Sequence, residues 1–157
     1  MKRFTLVFTA LLFIGIGIAN AQSNKEEIDL MQSVFGMEKK AMLADFLKLE
    51  GSKADAFWKL YDEYEVSRKE LGVNRINMLE KYANNYTSMS PETADALLKE
   101  MMTNAAATDK LIVNYTNKVK KITDPVTAFK FYHVENYILT SIRTKILEEI
   151  PFVEARK

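Results

Sequence analysis

Residues 129–139 read Phe-Lys-Phe-Tyr-His-Val-Glu-Asn-Tyr-Ile-Leu and hold the only histidine of the chain, His133, two positions before Glu135. A histidine near a carboxylate is raw material for general acid–base chemistry, for activation of a nucleophile or for a metal site. On a helix, at 100° per residue, these two side chains stand about 160° apart. The helical neighbours of His133 are Phe129, Lys130, Asn136 and Tyr137, so neither a carboxylate nor a second histidine joins it on its own face, and Lys130 opposes a cation. The chain has no cysteine to complete a zinc set, and no serine stands in a recognisable nucleophile motif with His133. The pattern predicts a packing or solvent-flanking histidine. It supplies no catalytic residue, no metal ligand set and no cofactor site, and the expectation is a protein that is not an enzyme.

Glu135 has a different setting. The apolar stripe of this segment runs Phe131, Ile138, Ile142 and Ile146, with Tyr132 and Leu139 beside it, and Glu135 falls in the gap between the first two. It is expected to be at least half buried, and a buried carboxylate needs a cation or several donors. Arg68 and Arg75 are the cations inside the apolar stripe of an earlier helix, so the sequence predicts a cross-helix pair from Glu135 to one of them.

Other residues suggest chemistry less strongly. Seven methionines follow the initiator, among them Met101-Met102, and at helical spacing they serve more often as adaptable core or contact surface than as soft-metal ligands. Asn-Tyr-Thr at 85–87 and at 114–116 matches the N-glycosylation acceptor, although Tyr115 belongs to a helical seam. Lys118, Lys120 and Lys121 read as the cationic end of a helix, with a basic rim for acidic or unfolded partners as the functional counterpart.

The elements that position these residues are all helical. Ser90-Pro91-Glu92 and Asp124-Pro125 each read as an N-cap followed by proline in the first helical position. Ser23 with Glu26, and Ser52 with Asp55, resemble capping boxes. Four helices follow, at about 24–48, 53–86, 91–122 and 125–149. In the third, Ala94, Leu98, Met101, Ala105, Thr108, Ile112, Tyr115, Val119 and Ile122 recur at alternating steps of four and three, a heptad seam. The second repeats those steps through Phe57, Tyr61, Tyr64, Arg68, Leu71, Arg75, Met78 and Tyr82, widened by Trp58, Leu79 and Tyr86.

Upstream, Lys2-Arg3, the apolar run Phe4–Ile18 and Ala19-Asn20-Ala21 have the three-part form of a secretory signal peptide, cleaved after Ala21. The remaining residues, 22–157, suit a single all-helical domain. They carry every one of the 21 acidic residues but lose two of the 22 basic ones, which leaves a net charge of −1 and no global pull towards nucleic acid or an anionic membrane. With no cysteine, stability must come from packing. A second helix of this length runs about 51 Å, against a gyration radius of about 14 Å for a compact domain of this size. The expected architecture is therefore all-α, an elongated four-helix antiparallel hairpin or bundle with apolar surface left over for a partner or a second subunit.

Together the signal peptide, the cysteine-free four-helix layout and two degenerate motif copies that each open a helix resemble the Spy and CpxP group of periplasmic helical proteins, the LTxxQ group. The resemblance is greatest to its divergent members, described as envelope-stress or heavy-metal sensors. The copies are Leu49-Glu50-Gly51-Ser52-Lys53 and Ile122-Thr123-Asp124-Pro125-Val126. The first keeps the leucine, the second keeps the threonine with isoleucine for leucine, and neither keeps the glutamine. The stretch 57–64, together with Phe131-Tyr132, Glu135-Asn136 and Glu149-Ile150-Pro151, resembles the divergent members. The resemblance implies a periplasmic, ATP-independent chaperone or stress protein, dimeric, that binds unfolded or misfolded envelope proteins. The alternative it implies is an adaptor or sensor docking on a membrane stress-response regulator, with a link to metal. The candidate client contacts are Phe57, Trp58, Tyr61, Tyr64, Met101 and Met102.

Overall fold

The structure is a computed structural model and describes residues 35–150. Residues 1–21, expected as a signal peptide, the Ser23–Glu26 box and the first part of the expected first helix lie outside the described residues. The chain divides into two units, Met1–Lys39 and Lys40–Lys157. Residues 35–39 of the first are helical. In the second unit, residues 40–47 are helical (α1), followed by α2 (Gly51–Ala83), a single 3₁₀ turn (Tyr86–Ser88), α3 (Pro91–Ile122) and α4 (Pro125–Glu149). No strand occurs among the described residues, and the unit is an all-α bundle in which α2 packs on α3 and α3 on α4.

Two helix starts follow from the sequence directly. Ser90 accepts from the backbone N–H of Thr93 and Asp124 from that of Thr127, and in each case proline occupies the first helical turn, where its missing N–H costs nothing. The Ser52–Asp55 box does not form. α2 begins two residues earlier than expected, at Gly51, with Glu50 as an N-cap that makes no side-chain hydrogen bond. The chain reverses instead through two left-handed residues, Lys48 (φ 50°) and Gly51 (φ 59°), and only at the second does glycine remove the cost. At its other end α2 stops at Ala83, short of the expected Tyr86, because Asn84 and Asn85 leave the helix and Asn85 returns its amide to the carbonyl of Lys81.

The α2 seam is buried or half-buried from Phe57 to Tyr82. The α3 seam is so only from Ala105 to Val119. At the N-terminal end of α3, Leu97 and not Leu98 is buried, and Ala94, Leu98 and Met101 are exposed. At the other end Ile122 is exposed as well. Helix length is the physical reason for the N-terminal departure. α3 has 32 residues and α4 has 25, and the two run antiparallel from a shared junction. The Arg143–Asp109 ion pair at 3.3 Å marks their register: α4 ends about level with Thr103, and among the described helices only α2 packs on the first turns of α3.

Candidate functional site

Where the helices converge at the junction end, aromatic rings stack into one cluster. Phe57 meets Trp58, Tyr61 and Phe131 at ring-centre distances of 4.9, 5.9 and 6.2 Å, and Tyr64 meets Phe131 at 5.5 Å and Tyr115 at 5.3 Å. Lys40 of α1 pairs with Asp62 and lies over the ring of Trp58, and Lys130 of α4 lies over Phe46, so α1 is held against both α2 and α4. Lys53 at the start of α2 reaches Asp124 at the start of α4, 4.0 Å away, which brings the two motif-like junctions together.

Glu135 is buried within this cluster, as its place in the apolar stripe requires. Its Oε2 accepts a 2.6 Å hydrogen bond from the Tyr64 hydroxyl. Arg68 donates from Nε to both carboxylate oxygens of Glu65 at 2.9 Å. Glu65, Arg68, Tyr61, Tyr64 and Glu135 thus form one polar group inside the aromatic core, and burial followed by the charge of Glu135 pushes both tyrosine hydroxyls well above their ordinary value of 10.0. Arg75 belongs elsewhere: burial and then the neighbouring Arg143 lower its affinity for the proton. Of the two arginines proposed for Glu135, Arg68 is therefore the one in its neighbourhood. Sequence reasoning missed Glu65 and the tyrosine donor. The spacing of Glu65 to Arg68, three residues on one helix face, was the available signal.

Phe57, Tyr61 and Tyr64 were expected as client contacts and are instead core, each 2 % exposed or less. They sit at the seam where α4 covers α2, so aromatic character marked the interior and not the surface. Trp58 is half-buried. Met101 and Met102 are exposed at 45 % and 65 %, and Leu98 beside them at 57 %. A second apolar set, Val126, Phe129 and Tyr137, faces outward on α4. His133 is exposed there and stacks on Phe129 at 5.9 Å, on a different face from Glu135. Lys120 and Lys121 occupy the last turn of α3, and Lys118 lies 4.2 Å over the Tyr115 ring. Asn114 of the second acceptor triplet lies within α3, as the seam position of its neighbour Tyr115 predicts.

Among the described residues no three histidine, cysteine, aspartate or glutamate side chains are grouped to hold a metal ion. No helix among them is long and apolar enough to cross a membrane. What the arrangement offers chemically is a closed aromatic–carboxylate core and, past the end of α4, an open apolar face. No protein-family model, curated protein or solved structure gives a significant match to this chain.

Proposed function

We propose that the protein is an ATP-independent chaperone or stress protein of the periplasm, which binds unfolded or misfolded polypeptides on an exposed helical surface after export through the segment 1–21. The single observation that carries this reading is the outward face of Leu98, Met101 and Met102, which continues the α3 seam beyond the last residue that α4 can cover. Unbranched methionine side chains adapt to varied apolar partners, and a contiguous apolar face without a shaped cavity suits partners of no fixed structure.

The test is suppression of aggregation of a chemically denatured protein. Wild type at equimolar amounts is expected to suppress light scattering, and the Met101→Ser/Met102→Ser variant to lose most of that effect while keeping its helicity. Absence of suppression by wild type sinks the reading. The exposed aromatic set on α4 favours a second reading, an adaptor docking on one membrane stress-response regulator, because specific docks concentrate their binding energy in a few aromatic anchors. Under that reading Phe129→Ala abolishes a stoichiometric complex with one envelope protein, whereas a chaperone surface tolerates the change.

A further inference from the structure

A groove of about 450 Å³ lies between α2 and α3 near their connection. Leu71, Met78 and Ala107 give it an apolar lining, and Asn74 and Asn77 from α2 and Asn104 from α3 line it with carboxamides. Elsewhere Asn85 and Asn136 return their amides to the carbonyls of Lys81 and Tyr132, but no hydrogen bond among the described residues engages the three groove carboxamides. Lys81 and Glu100, also in the lining, neutralise each other at 2.8 Å. Lys99 lines the groove too, and among the described residues it has no ion-pair partner.

These features select a ligand chemistry. A side-chain carboxamide carries a carbonyl acceptor and an N–H₂ donor, the same complement as a peptide unit. Three of them beside an apolar floor match an extended main chain whose N–H and C=O groups need partners and whose alternate side chains need a dry surface. A phosphate or nucleotide calls for several converging cations, whereas here one ammonium is uncompensated. That single positive charge disfavours a basic segment and favours a carboxylate.

We propose that this groove docks an extended, non-basic polypeptide segment, held chiefly through its main chain, with Lys99 receiving an acidic side chain. The inference rests on the reading that the protein binds other polypeptides, and it adds a contact separate from the methionine face.

The experiment is fluorescence anisotropy of the full mature chain with a labelled ten-residue probe of alternating serine and valine ending in glutamate. Asn74→Ala/Asn77→Ala/Asn104→Ala is expected to weaken binding about tenfold or more, since three main-chain hydrogen bonds are lost, with unchanged circular dichroism because alanine is the better helix former. The exposed single variant Asn77→Ala gives a smaller loss in the same direction and keeps the test valid if the triple variant misfolds. A probe N-methylated at alternate peptide bonds binds more weakly, as does a probe ending in lysine. Equal affinity of wild type and triple variant, equal affinity for the N-methylated probe, or no binding at all overturns the proposal. Suppression of aggregation without probe binding condemns the groove and spares the chaperone reading, and probe binding without suppression does the reverse.

Discussion

The two ends of the α2–α3 pair are written in similar residues and end up in different environments. At the junction end α1, α2, α3 and α4 meet, Phe57, Tyr61, Tyr64 and Phe131 are buried, and even Glu135 is closed off from water. At the connection end, among the described residues, α2 and α3 pack only on each other, and Met78 and Leu97 are buried while Leu98, Met101 and Met102 remain outside. Composition does not separate the two, since both stretches repeat apolar residues at heptad spacing. The separation comes from α4 ending about level with Thr103, which leaves roughly 18 Å of α3 uncovered by it. A seam in a sequence states which face is apolar, and a neighbouring helix of sufficient length decides whether that face becomes core or surface.

The largest effect that tests this contrast is a matched pair of truncations. Phe57→Ala empties a fully enclosed ring site between α2 and α4 and is expected to cost about 3–5 kcal/mol in urea unfolding. Met102→Ala, at the open end, is expected to change stability by no more than about 0.5 kcal/mol. Similar costs at the two positions would mean that the open face is covered after all.

Next in size is Tyr64→Phe, which removes the hydroxyl that Glu135 accepts from and keeps the ring contacts with Phe131 and Tyr115. Loss of a donor to a buried carboxylate is expected to cost about 1–3 kcal/mol. The same residue controls the alkaline limb of stability. Tyr61 and Tyr64 hold their protons in the folded chain well above 10.0, where the unfolded chain releases them. The unfolded state thus binds fewer protons there, and stability falls as pH rises past 10, by about 1.4 kcal/mol per pH unit for each tyrosine. Tyr64→Phe removes one of the two titrating hydroxyls, so the alkaline slope of the variant should be about half that of wild type. An unchanged slope would place the titration elsewhere.

Much of this architecture was legible because its signals are local. Ser90-Pro91 and Asp124-Pro125 state their helix starts in two residues, and the burial of Glu135 follows from its place between Phe131 and Ile138. The junction 48–52 was misread because Ser52 and Asp55 carry a capping pattern, while the backbone turns on the left-handed conformations of Lys48 and Gly51, which no side-chain spacing encodes. The surface was misread for a different reason. Phe57, Tyr61 and Tyr64 look adhesive in any one-dimensional reading, and only the meeting of α2 with α4 shows them to be interior. Of the groove between α2 and α3 only the spacing of Asn74 and Asn77 was legible, because Asn104 joins them through the antiparallel pairing of the two helices. Tyr64 as the partner of Glu135 is likewise a contact across 71 positions, beyond any motif.

The smallest effect compares the two proline-led caps, which sit at opposite ends of α3. At the junction Asp124 uses a carboxylate: its Oδ1 accepts from the Thr127 N–H at 2.9 Å and its Oδ2 from the Thr127 hydroxyl, and those bonds, the backbone one foremost, hold its carboxyl below the ordinary 3.8. At the other end Ser90 caps with a hydroxyl that does not titrate, 3.1 Å from the Thr93 N–H. A carboxyl with a depressed folded value contributes stability that is present above its unfolded value and is lost as pH falls through the folded one. Acidification below about pH 4 is therefore expected to lower the hydrogen-exchange protection of Thr127 more than that of Thr93. Glu92 in the first turn of α3 is also held low, by its own backbone N–H and by Ser90, so the Ser90 end weakens somewhat too, but its Oγ–Thr93 bond survives protonation. Asp124→Asn keeps a capping acceptor and removes the charge, so in that variant the protection of Thr127 should lose its acid dependence while Thr93 behaves as before. Equal acid sensitivity of Thr127 in both proteins would show that the start of α4 is held by its packing on α3 and not by its cap.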